Sequence, residues 1–166
     1  MRQHNKKGSL PLELLLVLVI LFGFALIVFI SKTVVDDINT DIQADTEISQ
    51  TAKTNSANMA ARLPNIFDAG FVLLFVLMWI AILFFGYNID TYPAFFIISI
   101  VFLIITIMIA SNIESGYNDF MTDSDFSSMS TSFPMTNFIL THLTVTIAII
   151  SVSLIMVLYG KSQGGR

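Results

Sequence analysis

The chain has 166 residues, of which 55% are hydrophobic and 12% are charged, and its mean hydropathy is +0.79. Soluble domains carry about 25% charged residues, so this composition excludes an ordinary soluble domain and indicates a membrane protein. The formal net charge is −4, without a basic stripe, which argues against nucleic-acid binding. The absence of cysteine excludes disulfides and thiolate metal sites.

The N-terminal region predicts a membrane-spanning helix with an extension. Residues 1–9 form a basic tail, and the apolar run 10–31 follows. This run is longer than the 7–15 apolar residues of a secretory signal, so we expect a retained first transmembrane helix. Beyond it, apolar residues recur three and four positions apart, at Val34, Val35, Ile38 and Ile42. This spacing predicts that the helix continues outside the bilayer as an amphipathic stalk.

The polar segment 32–66 separates the first two apolar runs. Its part from 49 to 58 contains small and polar residues and is compatible with a loop or a weak helix. Pro64 marks a predicted boundary before the second span. Asn65 is the predicted N-cap of that span, and Asp68 occupies a capping-box-like position three residues later.

The second and third apolar runs, 67–87 and 94–111, are the stretch around which the chain is organised. Each is close to the 20 residues that a helix needs to cross a bilayer. They are joined by the tight turn 88–93, where Asp90 is expected to bond nearby backbone groups and Pro93 to open the third span. The sequence therefore predicts a central transmembrane helical hairpin.

The last third of the chain predicts one further span. An acidic loop, 112–136, precedes a fourth transmembrane helix, 137–159, and a flexible C-terminal tail, 160–166. Lipid offers the backbone no hydrogen-bond partner, so each span is expected to be helical. The predicted fold class is an all-α polytopic membrane protein with four transmembrane helices.

Charge bias predicts the orientation of these spans. Four spans place both termini on one side of the membrane. The short ends carry five of the eight basic residues: Arg2, Lys6, Lys7, Lys161 and Arg166. Lys and Arg collect on the cytoplasmic side, so we expect both termini and the 88–93 turn there. The segments 32–66 and 112–136 would then lie on the opposite side.

Two ionisable residues fall within or beside apolar runs. Glu13 follows Gly8 with the spacing of a type IV prepilin signal, which the N-terminus resembles. In that family a peptidase cuts after the glycine. This chain departs from the prepilin pattern in having Pro11 and three further predicted spans. The alternative is a carboxylate stabilised at the start of a helix. His142 indicates either a proton relay or a neutral histidine bonded to a neighbouring helix.

The predicted fourth span carries a stripe of small and polar residues at intervals of three and four: Asn137, Thr141, Thr144, Ala148 and Ser151. Such residues let helices approach closely in lipid and bond across the contact. We interpret the stripe as a helix-packing surface within the chain or between copies of it. A pore lining is the alternative.

Sequence motifs for catalysis are missing. We find no P-loop, nucleotide fingerprint, zinc motif or nucleophile elbow, and the acids of 112–136 lack EF-hand spacing. We therefore predict no enzymatic activity, no catalytic or metal-binding residue, no cofactor and no small-molecule substrate. The expected partners are the lipid bilayer, other membrane proteins and copies of the chain itself.

The motifs that open the four spans resemble those of small membrane proteins of tailless, membrane-containing prokaryotic viruses. These motifs are Ser9-Leu-Pro-Leu-Glu13, Leu63-Pro-Asn-Ile-Phe-Asp68, Asp90-Thr-Tyr-Pro-Ala-Phe-Phe96 and Phe133-Pro-Met-Thr-Asn-Phe-Ile-Leu140. The resemblance implies a minor structural protein of a virion membrane that contacts capsid proteins. A holin-like pore former in a host membrane and a small proton-linked transporter are the alternatives.

Overall fold

The structure is a computed structural model that describes residues 10–88, 93–123 and 126–164, with side chains for 14–88, 97–123 and 126–160. Every regular element in these ranges is a helix. The elements are α1 (Leu10–Ala44), α2 (Gln50–Asn88), α3 (Pro93–Met121), α4 (Met129–Ser132), α5 (Pro134–Thr141) and α6 (Leu143–Gly164). Within the described ranges, α1, α2, α3 and α6 are long and apolar enough to cross a membrane. The predicted all-α fold with four such helices is confirmed.

Helices α1 and α2 are much longer than a membrane span. Their 35 and 39 residues correspond to about 52 and 58 Å, against a hydrocarbon core of about 30 Å. Helix α1 reaches Ala44, so it continues beyond its apolar run as the spacing of its apolar residues predicts. A short connection, 45–49, then returns the chain into α2. We call residues 31–66 the hairpin extension.

The buried side of α1 explains why this extension forms. Its buried residues recur four and three positions apart at Leu14, Leu18, Leu21, Ala25 and Val28. The same interval continues with partly buried side chains at Lys32, Val35, Asn39 and Ile42. This heptad spacing is that of a coiled coil, so one packing seam runs from the apolar span into the polar extension.

Polar contacts fix the register of the hairpin extension. The Ser56 hydroxyl donates to Asn39 Oδ1 over 2.9 Å. Near the tip, Gln43 Nε2 donates to the Lys53 carbonyl over 2.8 Å, and Lys53 Nζ donates to the Gln43 carbonyl over 2.9 Å. As the residue number rises on α1, that of its partner on α2 falls, so the two helices are antiparallel. Ser49 caps α2 by accepting from the Ala52 N–H over 3.3 Å.

The predicted boundary at Pro64 is wrong. Pro64 lies inside α2 and is buried, and the segment 49–58, for which a loop was one alternative, is helical from Gln50. Asn65 is therefore an interior residue and caps nothing. Because Pro64 is buried, packing of α2 against its neighbouring helices offsets the backbone hydrogen bond that proline removes, a cost of about 3 kcal/mol in an unsupported helix. At the next connection, α3 begins at Pro93 as expected, whereas Asp90 lies outside the described residues.

Much of the predicted loop 112–136 is also helical. Helix α3 continues to Met121 because apolar and aromatic side chains keep a helical interval beyond its apolar run, at Ala110, Ile113, Tyr117 and Phe120. Helices α4 and the start of α5 occupy its second half. At the C-terminus, α6 extends to Gly164, so residues 160–164 are helical where a flexible tail was expected.

The predicted single helix 137–159 is interrupted. Helix α5 starts earlier, at Pro134, and ends at Thr141, and α6 begins at Leu143. Between them His142 has φ −123° and ψ 30°, which lies outside the helical region. The break leaves the first backbone N–H groups of α6 without partners inside that helix.

The helices pack in pairs around one core. Helix α2 packs chiefly against α1 and also against α6 and α5, and α3 packs chiefly against α6. Large apolar side chains stay exposed around the outside of the bundle, including Ile27, Leu73, Phe84, Ile97 and Val145. A contiguous exposed apolar surface of this kind is expected of helices that face lipid tails.

Candidate functional site

Asp68 lies at the centre of the most elaborate polar contact in the described chain. Its side chain is only 5% exposed, and it projects from α2 toward the start of α5. Its Oδ1 accepts from the Thr136 N–H over 2.7 Å, and its Oδ2 accepts from the Met135 N–H over 3.0 Å. Both oxygens of one carboxyl group are therefore used by the backbone of another helix.

The sequence at the start of α5 explains this arrangement. The first N–H groups of a helix have no partner within it. Pro134 has no N–H, and the Asn137 N–H bonds to the Phe133 carbonyl over 2.9 Å. Only Met135 and Thr136 then require an external acceptor, and Phe133 at the N-cap has no side-chain oxygen to provide one. Asp68 supplies both acceptors and places negative charge at the positive end of α5.

Glu114 makes the equivalent contact with α6. Its Oε2 accepts from the Thr144 N–H, the second residue of α6, over 2.7 Å. Thr146 bonds to the His142 carbonyl through both its N–H, over 3.0 Å, and its hydroxyl, over 2.9 Å. The break at His142 is thus stabilised by a carboxyl group from α3 and by local bonds within α6.

An aromatic cluster closes the same region. The Tyr117 hydroxyl, fully buried, donates to Asn137 Oδ1 over 2.9 Å and ties α3 to α5. The Phe29 ring lies 5.2 Å from that of Phe133 and 6.2 Å from that of Tyr117. We call the set Asp68, Glu114, Tyr117 and Asn137 the capping cluster. It connects α2 and α3 to both halves of the interrupted fourth span, and α1 covers it through Phe29.

The predicted capping role of Asp68 is thus wrong in its target, because Asp68 caps α5 and not its own helix. The sequence did not single out Glu114 or Tyr117 as site residues. The five-residue segment that contains them, Ile113-Glu114-Ser115-Gly116-Tyr117, begins two residues after the apolar run 94–111, a position that could have drawn attention to them. The distance along the chain between Asp68 and Thr136 leaves no local signal of their contact.

The His142 side chain is exposed, and its contacts are with nearby residues of α5. Its Nδ1 lies 3.0 Å from the Phe138 carbonyl oxygen and 3.1 Å from Thr141 Oγ1, and its ring stacks on that of Phe138. The hydrogen bond to the Phe138 carbonyl supports the end of α5. No acidic group contacts the imidazole among the residues that the structure describes. The side chain of Glu13 lies outside the described side chains.

The predicted stripe lies on the inner side of the fourth span. Ser151 is buried, and the other four members, Asn137, Thr141, Thr144 and Ala148, are partly buried. The Ser151 hydroxyl has no hydrogen-bond partner among the described atoms, and neither have Ser99 Oγ and Trp79 Nε1. Two of the five make contacts within or to the capping cluster. Asn137 accepts from the Tyr117 hydroxyl, and the Thr144 N–H donates to Glu114.

Comparison of the chain with protein-family models, with curated proteins and with solved structures found no match. Within the described ranges, no three His, Cys, Asp or Glu side chains come close enough to hold a metal ion. What the capping cluster does is position four helices relative to one another.

Proposed function

We propose that this chain is a structural membrane protein whose bundle holds a rigid helical hairpin outside the bilayer for contact with another protein. The observation that carries the proposal is the pair of hydrogen bonds that the Asp68 carboxyl group accepts from the backbone of α5. A buried carboxyl group in a membrane protein is usually a sign of transport or proton transfer. Here both of its oxygens are engaged by backbone donors of α5, so its contacts are those of a structural group.

The hairpin extension supports a contact role. After a bilayer core of about 30 Å, roughly 28 Å of α2 remains outside it. The extension carries exposed apolar side chains at Val34 and Ile38, 49% and 52% exposed, beside the exposed acids Asp37 and Asp41. An apolar patch with a charged border is the usual composition of a protein-binding surface.

The biological setting of the proposal comes from the resemblance of the span-opening motifs. A minor protein of a virion membrane must stay in a lipid layer and reach capsid proteins beside it. Charge bias orients both termini to the cytoplasmic side and the hairpin extension to the other. An anchored bundle with a projecting antiparallel hairpin is suited to that geometry.

The alternatives have less support from the side-chain arrangement. A pore former needs its polar stripe to line water, whereas this stripe faces the helices of the same chain, with Ser151 buried. A proton-linked transporter needs a relay partner for His142, whose contacts are with the Phe138 carbonyl and the neighbouring Thr141. The contacts of the stripe and of His142 therefore favour a helix-packing role over a pore or a proton pathway.

Mass spectrometry of purified particles tests the proposal. If a virus encodes this chain, gradient-purified particles stripped of loose membrane should contain it at a constant ratio to the capsid protein. An abundant host membrane protein, followed in the same gradient, serves as the control for contamination. A chain that follows the host protein and leaves the particles on washing would contradict the virion role.

A further inference from the structure

A shallow groove lies on α2 where the hairpin extension meets the apolar span. It has a volume of about 300 Å³ and is lined by Met59, Arg62, Leu63, Ile66 and Phe67. We call it the interfacial groove. Its exposed lining is entirely apolar, so Arg62 contributes its methylene stem to the wall and leaves its guanidinium free to extend outward.

The depth of the interfacial groove follows from the helix. The second apolar run begins at Phe67, directly after Ile66, so both residues lie at the edge of the hydrocarbon core. Arg62 lies one turn earlier, about 6 Å farther out along a straight helix. The headgroup layer is about 5–7 Å thick on each side. The guanidinium is therefore level with lipid phosphates, and the apolar end of the groove is level with the start of the acyl chains.

Arg62 has no carboxylate partner among the residues that the structure describes. Its neighbours one turn away on α2 are Asn58, Met59, Asn65 and Ile66. The one ion pair found among described residues joins Lys32 to Asp36, and Arg62 contacts no carboxylate there. Guanidinium binds phosphate through two parallel hydrogen bonds, which makes a phosphate the anion best suited to this position.

We infer that the interfacial groove binds one phospholipid, with its phosphate on Arg62 and an acyl chain along Leu63, Ile66 and Phe67. A phospholipid carries an anion and an apolar chain in the same order and at the same depths as the groove. Phosphatidylglycerol has no positive charge in its headgroup and binds with higher affinity than phosphatidylcholine, because the choline of the latter competes with Arg62 for the phosphate. The inference requires insertion of the chain in a bilayer but not a role in a virion.

Native mass spectrometry of the full chain from nanodiscs tests this inference. The nanodiscs contain equal amounts of phosphatidylglycerol and phosphatidylcholine with identical acyl chains. After gentle removal of bulk lipid, the wild-type chain should retain one lipid, enriched about three-fold in phosphatidylglycerol, a factor typical of an exposed charge contact. Arg62→Gln should retain lipid at the bulk ratio, and Arg62→Lys should keep part of the preference.

Lys53→Gln is the matched control. It removes one positive charge from the same helix, nine residues or about 13 Å farther from the bilayer. Although it removes the Lys53 Nζ bond, Gln43 Nε2 can still donate to the backbone carbonyl of residue 53, so this register contact is kept. The substitution should leave the enrichment unchanged. Equal losses of enrichment in Arg62→Gln and Lys53→Gln would show diffuse attraction and overturn the inference. Failure of the wild-type chain to retain or enrich phosphatidylglycerol would also overturn it.

A second copy of the chain is the competing occupant of the groove. Because the chain has no cysteine, Met59→Cys introduces a single thiol at the groove's outer end. In nanodiscs with excess lipid, the thiol should react with maleimide and form no disulfide-linked dimer. Near-complete dimerisation under mild oxidation would show a protein interface there and contradict lipid binding. Because this assay and the lipid assay use purified protein, their failure is distinguishable from absence of the chain from virus particles.

Discussion

At the scale of single residues, the main finding is that ionisable and polar side chains next to the apolar spans act on backbone groups of other helices. Asp68 satisfies the two N–H groups of α5 that proline and local bonding leave open. Glu114 does the same for one N–H of α6. An unpaired buried N–H costs about 1–3 kcal/mol, so Asp68 favours a helix start at Pro134 and Glu114 favours the restart of the helix after His142.

Substitution of Asp68 by asparagine tests this role. The amide has one acceptor oxygen, so its NH₂ group would face an N–H of α5 and leave a buried donor unpaired. We expect a destabilisation of about 1–3 kcal/mol, measured as a lower midpoint of SDS-induced unfolding of the purified chain. The exposed Asp37→Asn removes the same charge from the hairpin extension and should leave the midpoint within about 0.5 kcal/mol of wild type. Equal midpoints for Asp68→Asn and Asp37→Asn would contradict the capping role.

At the scale of elements, spans were predictable where they depend on local pattern and unpredictable where they depend on distant contacts. The spacing of Val34, Val35, Ile38 and Ile42 correctly predicts that α1 continues beyond its apolar run. The predicted start of α2 at Pro64 is wrong, because the packing of α2 against neighbouring helices leaves no signal in the sequence around Pro64. The interruption at His142 escaped prediction for the same reason, since Glu114, which caps α6, lies 30 residues before Thr144.

The register of the hairpin extension depends on the Asn39–Ser56 contact. A polar residue at a seam position fixes the register of a coiled coil. We expect Asn39→Ala to leave Ser56 unpaired and to accelerate amide hydrogen exchange several-fold in residues 40–56, with exchange in the spans unchanged. The neighbouring Thr40→Ala removes only a bond to the Asp36 carbonyl on the same helix, and should change exchange little. Equal exchange in both variants would show that Asn39 does not hold the register.

At the scale of the whole molecule, a bundle with exposed apolar sides continues at one end into an antiparallel helical hairpin. The four long apolar helices and the exposed apolar side chains around them are compatible with a membrane location of the bundle. Side-chain contacts between Asn39 and Ser56 and between Gln43 and Lys53 join the two helices of the hairpin extension. Composition and apolar run length were sufficient to predict the four apolar helices, but not the capping cluster, which depends on contacts between distant residues. Prediction of the hairpin extension also needed the seam between α1 and α2, of which only the α1 half has a clear signal in the sequence.

Cysteine accessibility in sealed vesicles tests this account most directly. Thr46→Cys places a thiol at the tip of the hairpin extension, and Ser162→Cys places one near the C-terminus. The account predicts that a membrane-impermeant maleimide added on the hairpin side labels Thr46→Cys fully and Ser162→Cys only after the membrane is permeabilised. Labelling of both sites from the same side without permeabilisation would contradict four spans with a projecting hairpin.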